Sequence, residues 1–457
     1  GAPDVVEEDH LLEVPGEYAT IQEAIDASID GDTVLVSAGT YVENINYNGK
    51  NIVVQGEDRE TTIIDGNQNG SVVTFESEED STAVLSGFTL ANGSSSNGGG
   101  IYCLSSSPTL TNVTITNNSA SYGGGICCKW SSNPTLTDVT ITGNSADING
   151  GGIFCRGFSD PSLVNVTITN NLASYGGGLY CWDYSNPSFE NVAITENSAS
   201  DYGGGIFCSW NTNPILVDVT ITNNSASYGG GMYCDNSSNP SLVNCILWND
   251  SPQEVYFSGD DNPNSILIAY SDIQGGEDAI VTSDNGTVYW GEGNIDANPL
   301  FCLSDSGDYT LAENSPCVGT GENGANMGAF DVGCEAQYAG PVWYVSTTGS
   351  DSNDGSEGSP FASIQHPIDV SNSGDTVLVQ PGTYVENINY NGKNIVVQGE
   401  DRETTIIDGN QSGSVVSFAN GEDETALLSG FTIQNGSAAY GGGIHCADNS
   451  NPNLNNL

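Results

Sequence analysis

The chain has 457 residues, with 58 Asp plus Glu against 6 Lys plus Arg, a formal net charge of −52. That balance excludes a nucleic-acid or anionic-membrane partner. No run of about 18 apolar residues exists to insert into a membrane. An apolar fraction of 37%, 58 glycines and a regular repeat exclude a disordered chain, for all its acidity.

Residues 1–14 are acidic and expected to form a flexible N-terminal segment. Residues 18–28 set Ile21, Ala24 and Ile25 at helical spacing. A short helix there would cover the open end of whatever follows and hide its unpaired strand edges. Between residues 31 and 92, short Val- and Ile-rich strands alternate with Gly, Asn and Asp turns.

From residue 98 one phrase recurs: GGGIYC, GGGICC, GGGIFC, GGGLYC, GGGIFC, GGGMYC. It places Cys at 103, 128, 155, 181, 208 and 234, at spacings of 25, 27, 26, 27 and 26 residues. A period of that size with strands inside it marks a solenoid. A second strand group follows each Asn-Pro or Asp-Pro corner, as in NPTLTDVTITGNSA from residue 133. Leu136, Val139 and Ile141 are expected inside and Thr140 and Thr142 outside. The offset of three between Leu136 and Val139 requires a bend. Asn118, Asn144, Asn171, Asn197 and Asn224 recur at another corner, where stacked amides would satisfy backbone groups.

Alternation in the glycine phrase puts Cys103, Cys128, Cys155, Cys181, Cys208 and Cys234 inward as a buried, inert core ladder. The outer stripe is then Tyr102, Cys127, Phe154, Tyr180, Phe207 and Tyr233, with Trp130, Trp182 and Trp210 just past the Cys. These aromatics are the candidate binding or assembly surface, against sugars or another protein. Outward Thr rows, Thr114/Thr116 through Thr220/Thr222, resemble ice-binding faces, but Thr is simply a good exposed-strand residue and that is the favoured reading.

Beyond residue 234 the pattern decays into a closing segment. Cys302, Cys317 and Cys334 are near enough for one disulfide, with Cys317–Cys334 the expected pair. Residues 31–68 then recur at 374–411, with 36 of 38 positions identical. The expected organisation is a complete unit at 15–334, a linker at 335–341 and the start of a second, near-identical unit at 342–457.

The 25–27-residue coils resemble the right-handed parallel β-helix of the pectate-lyase-like superfamily. The opening at 344–365 and the closing phrases CILWNDSPQEVYF and GEGNIDANPLF resemble secreted bacterial proteins of that class, and the Gly-Gly-aliphatic repeats resemble β-helical surface adhesins. The resemblance implies an all-β, right-handed parallel β-helix with a short N-terminal capping helix and tandem units. It implies function less sharply, because this scaffold carries lyases, hydrolases, adhesins and structural proteins.

Lyases of this class need an Arg or Lys base, usually beside calcium. Lys129 and Arg156, on successive coils, are the only weak catalytic candidates. Lys50, Arg59, Lys393 and Arg402 lie near the capped ends. Hydrolysis needs a carboxylate pair about 5–9 Å apart, but with 58 acids chance pairs carry no weight. No cofactor is expected. Glu254, Asp260, Asp261, Asp351 and Asp354 are candidates for structural calcium. The expected function is an extracellular structural or adhesive tandem rod without catalysis, its partners other copies of itself or an extracellular glycan. The alternatives are a calcium-assisted polysaccharide lyase or glycoside hydrolase, and a carbohydrate-binding module using the aromatic stripe.

Overall fold

The computed structural model describes residues 10–259, 262–337 and 340–457. It forms two compact units, Gly1–Pro299 with Cys317–Asp331, and Leu300–Pro316 with Val332–Leu457. This division cuts inside the expected closing segment and not at 335–341, of which residues 338 and 339 lie outside the described set.

In the first unit the chain winds as a parallel β-helix with three faces. The widest face carries strands such as Thr109–Thr116 and Ser188–Thr195. The second holds the cysteine strands, from Ile101–Leu104 through Ile126–Lys129 to Met232–Cys234. The third is a five-stranded sheet from Ser94–Asn97 to Ser198–Tyr202. Every pairing in these three sheets is parallel, so like residues stack; Cys103, Cys128 and Cys155 are direct neighbours.

Each glycine of the repeated phrase has its own reason. The first adopts a left-handed conformation, as at Gly123 (φ +67°). The next two are pressed against the adjoining coil: a Cβ on Gly124 would lie 2.5 Å from the Gly151 carbonyl oxygen. The expected bend in the wide face is a left-handed residue at Asn112, Asp138, Asn165, Asn191 and Asp218, which lets Leu136, Val139 and Ile141 all point inward. The Asn corner is a continuous hydrogen-bonded row. Asn118, Asn144, Asn171 and Asn197 each donate from both backbone N and Nδ2 to the Oδ1 of the next.

The capping helix is Ile21–Ala27, with Ile21, Ala24 and Ile25 buried and Thr20 accepting from Glu23 N. Residues 11–14 are not loose as expected: Leu11–Val14 pairs in parallel with Thr33–Val36 and buries Leu12 and Val14. Residues 1–9 lie outside the described set. The outward Thr rows hold as far as Thr169, but Thr195, Thr220 and Thr222 are buried. The segment Cys317–Asp331 folds back on Thr220, Ala329 N donating to its Oγ1 at 2.9 Å.

The second unit repeats the opening. Val342–Val345 pairs with Thr376–Val379 in the register of the first, and Gln365–Val370 is its helix. In each unit one glutamate binds two backbone N–H groups at the helix start: Glu43 takes Ile21 and Gln22, Glu386 takes Ile364 and Gln365.

The disulfide corrects the expected one: Cys302 joins Cys334, with Cα atoms 5.9 Å apart. Cys317 is drawn into the first unit, where its thiol donates to Asp272 Oδ2 at 3.1 Å.

Candidate functional site

The cysteine ladder is placed as expected, fully buried from Cys103 to Cys234. Burial pushes the Cys181 and Cys234 thiols above the usual range, while hydrogen bonds with Cys103 and Cys155 pull Cys128 down to about 5, so the inertness of the ladder rests on its complete burial.

The outer stripe is not the open surface expected. Cys127, Phe154, Tyr180, Phe207 and Tyr233 are buried in a second apolar cluster, with Tyr102 partly covered at its edge. Tyr122, Tyr175 and Tyr202 end the strands of the third face and turn across the glycine corner, which has no side chains to hold them off. Tyr122 reaches Phe154 at 5.5 Å and Tyr202 reaches Tyr233 at 4.6 Å between ring centres.

Four exposed aromatics lie one turn further on, between the cysteine strands and the Asn-Pro or Asp-Pro corners. Two consecutive residues there are left-handed on five successive coils. The first slot holds Trp130, Gly157, Asp183, Trp210 and Asn236. The second holds Ser131, Phe158, Tyr184, Asn211 and Ser237, aligned by hydrogen bonds such as Trp130 N to Arg156 O and Phe158 N to Asp183 O. Trp130, Phe158, Tyr184 and Trp210 are each about half exposed or more, and Phe158 stacks on Tyr184 at 5.2 Å. A bulky side chain in this backbone region costs on the order of 1 kcal/mol. Gly, Asn and Asp take the same slot readily.

Lys129 and Arg156 are direct neighbours in register at the edge of this turn. Lys129 Nζ donates to Asn97 Oδ1 and sits 5.1 Å from the Tyr122 ring centre. The Arg156 guanidinium lies between Trp130 at 5.2 Å and Trp182 at 4.2 Å, and its Nε has no hydrogen-bond partner. Neither cation forms an ion pair among the described residues. The other cations hold structure. Lys50 Nζ donates to the Ile25 and Asp26 carbonyls and Lys393 Nζ to those of Ile368 and Asp369, at helix C-termini where positive charge is favourable. Arg59 donates to the Asp138 carbonyl and Arg402 to that of Leu457.

Sequence reasoning missed Asp250 and Asp272 and offered Glu254 only as a calcium ligand. Asp250 ends the Asn row, its Oδ1 accepting Asn224 N at 2.6 Å and Nδ2 at 2.9 Å. Glu254 packs against it, and Asp250 Oδ2 and Glu254 Oε2 are buried without partners. Burial raises Asp250 to about 6 and lifts Glu254 well above the usual carboxyl range. Two touching carboxyls then share one proton near neutral pH. Asp272 is raised to about 7, again by burial. The signal was there in outline: Asp250 falls where the Asn period predicts another amide.

Of the calcium candidates, Glu254 is this buried partner. Asp351 accepts Ala362 N and Ser363 N, and Asp354 accepts Ser356 N and Oγ. Asp260 and Asp261 lie outside the described residues. Among the described residues no three His, Cys, Asp or Glu side chains converge as a metal site.

Against known proteins, residues 51–176 and 146–315 match the family described as "Right handed beta helix region". The chain belongs to that family. Residues 347–413 also match "Protein of unknown function (DUF1565)". The uncharacterized protein YwoF of Bacillus subtilis (strain 168) is 33% identical over 111 residues, 21% of this chain and 22% of that protein, so the chain spans about a fifth of that relative's length. Among solved structures, pectate lyase Pel9A is similar at 13% identity and TM-score 0.41, over 72% of this chain and 98% of that one. The PL6 family alginate lyase AlyGC is similar at 12% identity and TM-score 0.36, over 98% of this chain and 75% of that one.

Proposed function

We propose that this protein is a secreted, non-catalytic β-helical scaffold, structural or adhesive, whose units are used in tandem. The observation that carries the reading is the position of its perturbed carboxyls. Those raised by burial among the described residues are Asp250, Glu254, Asp272 and Glu386. The first three are sealed in the first unit, and Glu386 is spent on two helix N–H groups. A sealed carboxyl cannot act as general acid on a polymer, which bears on the hydrolase alternative, and the lyase alternative is left to the test below. The Cys302–Cys334 disulfide supports an oxidising compartment outside the cytosol.

The test is incubation of the full chain with a panel of acidic and neutral polysaccharides, with and without calcium, following reducing ends and the ultraviolet absorbance of unsaturated ends. No release above a heat-denatured control is expected. Turnover that disappears in Lys129→Ala or Arg156→Ala would replace this reading with a polysaccharide lyase. Electron microscopy of the protein from its native source tests the tandem assembly: isolated short particles would sink it.

A further inference from the structure

We propose that Lys129 and Asn97 form an intramolecular isopeptide bond that ties one coil of the first unit to the next. The inference goes beyond the scaffold reading and does not depend on it.

The contact is already made at the distance such a bond needs. Lys129 Nζ donates to Asn97 Oδ1 at 2.5 Å. Cγ lies one carbonyl bond beyond that oxygen, so the amine is within about 3.7 Å of the carbon it attacks, close to a productive approach. The other lysines differ. Lys50 and Lys393 donate to main-chain carbonyls at helix ends, where attack would cut the chain. Lys129 meets a side-chain carboxamide, whose nitrogen can leave with the backbone whole.

The surroundings hold off the competing reactions. The Tyr122 and Phe154 ring centres lie 5.1 and 5.7 Å from Nζ, so apolar faces stand where water would otherwise compete as nucleophile. Asn97 precedes Gly98, a step at which the backbone nitrogen can close on the Asn side chain. Here Gly98 N donates to the Tyr122 carbonyl at 2.9 Å, which commits it to the neighbouring coil.

The pairing is particular to these two coils. Asn97 heads a row that continues as Tyr122, Asn149, Tyr175, Tyr202 and Tyr228, and the second unit has Tyr440 at the matching position. Lys129 stands in register between Leu104 and Arg156. Asparagine returns at Asn149, but the residue that then matches Lys129 is Trp182, which has no amine. Both residues depart from the repeat at the one place where their side chains meet.

In the step, Nζ sheds a proton to solvent and its lone pair attacks Cγ. The tetrahedral adduct then expels Nδ2. A Cγ–Nζ bond replaces the Cγ–Nδ2 bond, and no electrons are gained or lost. The two protons that Nζ gives up equal the two that the leaving nitrogen gains, so the positive charge of Lys129 departs as ammonium. The product joins the strand Ser94–Asn97 of the third face to the strand Ile126–Lys129 of the second. It restrains the unfolded chain as a disulfide does, without a reducible bond.

The test is the intact mass of the full, reduced chain, followed by proteolysis and sequencing of the fragments by mass. The wild type is expected to be light by one ammonia, about 17 Da, and to yield a branched peptide joining the segments that hold Asn97 and Lys129. Lys129→Arg keeps a donor for Asn97 and a cation for the rings but cannot form the bond, and it is expected at full mass. Asn97→Ala is expected at full mass as well. A wild-type chain of full mass with only linear peptides would overturn the proposal. So would a deficit that persists in Lys129→Arg, which assigns the lost ammonia to ring closure at an Asn-Gly step. The branched peptide is read in the wild type, so the outcome does not hang on how well either variant folds.

Discussion

A single asparagine shows how much of this fold rests on side-chain amides. Asn171 is 1% exposed. Its Oδ1 takes both Asn144 N and Asn144 Nδ2, and its Nδ2 gives to the Ile141 carbonyl and Asn197 Oδ1. Removing the amide orphans donors and acceptors on both adjoining coils, each at about 1–3 kcal/mol. Asn171→Ala is therefore expected to lower stability by about 3 kcal/mol, read from the shift of the urea midpoint at unchanged slope. Asp272 has a different signature. Its pKa lies near 3.8 unfolded and about 7 folded, so the native state binds the proton more tightly. Its contribution is fully present below about pH 4 and is lost as pH rises through 7. A shift of that size corresponds to at most about 4 kcal/mol. Asp272→Asn should flatten the fall in stability between pH 4 and 7, seen as a difference between wild-type and variant unfolding curves. Parallel curves across that window would show that Asp272 does not hold the proton.

At the scale of the repeat, the glycine corner sets the limits. A methyl on Gly124 would lie 2.5 Å from two backbone oxygens, those of Gly151 and Ser145. Backbone cannot yield as a flexible side chain can, so Gly124→Ala should cost about 3 kcal/mol. Gly358→Ala, which meets nothing within 4 Å, should be neutral in the same melting experiment. The same corner decided what could be read from sequence. Periodicity revealed the coil, the inward Cys and Asn rows and the need for a bend at Asp138, because each follows from in-register stacking. It could not reveal that Tyr122, Tyr175 and Tyr202 fold across bare glycines and cover Phe154, Phe207 and Tyr233. That depends on which way a chain leaves a left-handed residue. Nor could it pair the cysteines. Cys302 and Cys317 are both within reach of Cys334 along the chain, and the choice follows from Asp272, 45 residues away from Cys317. The aromatic candidates split accordingly, the stripe buried and Trp130 and Trp210 exposed.

Across the whole chain, chemistry is separated from surface. Ten cysteines are free, and of these only Cys446 is exposed. Native protein should therefore react with a bulky thiol reagent at about one equivalent, and at ten only after denaturation with the disulfide intact. Several fast-reacting thiols would mean that the first unit opens readily. The Asn row has a further consequence for how such a protein changes size. Every amide in it receives from the coil before and gives to the coil after, and the row closes on Asp250, which only receives at Oδ1. The row therefore has a direction and a terminus but no built-in length. Copying one full turn in phase supplies a new amide with partners already in place, and because the row already links coils of 26 and 27 residues, a single extra residue is absorbed between rungs. Such a molecule can grow or shrink by whole turns, a ratchet in increments of about 26 residues, without any new interaction having to be invented.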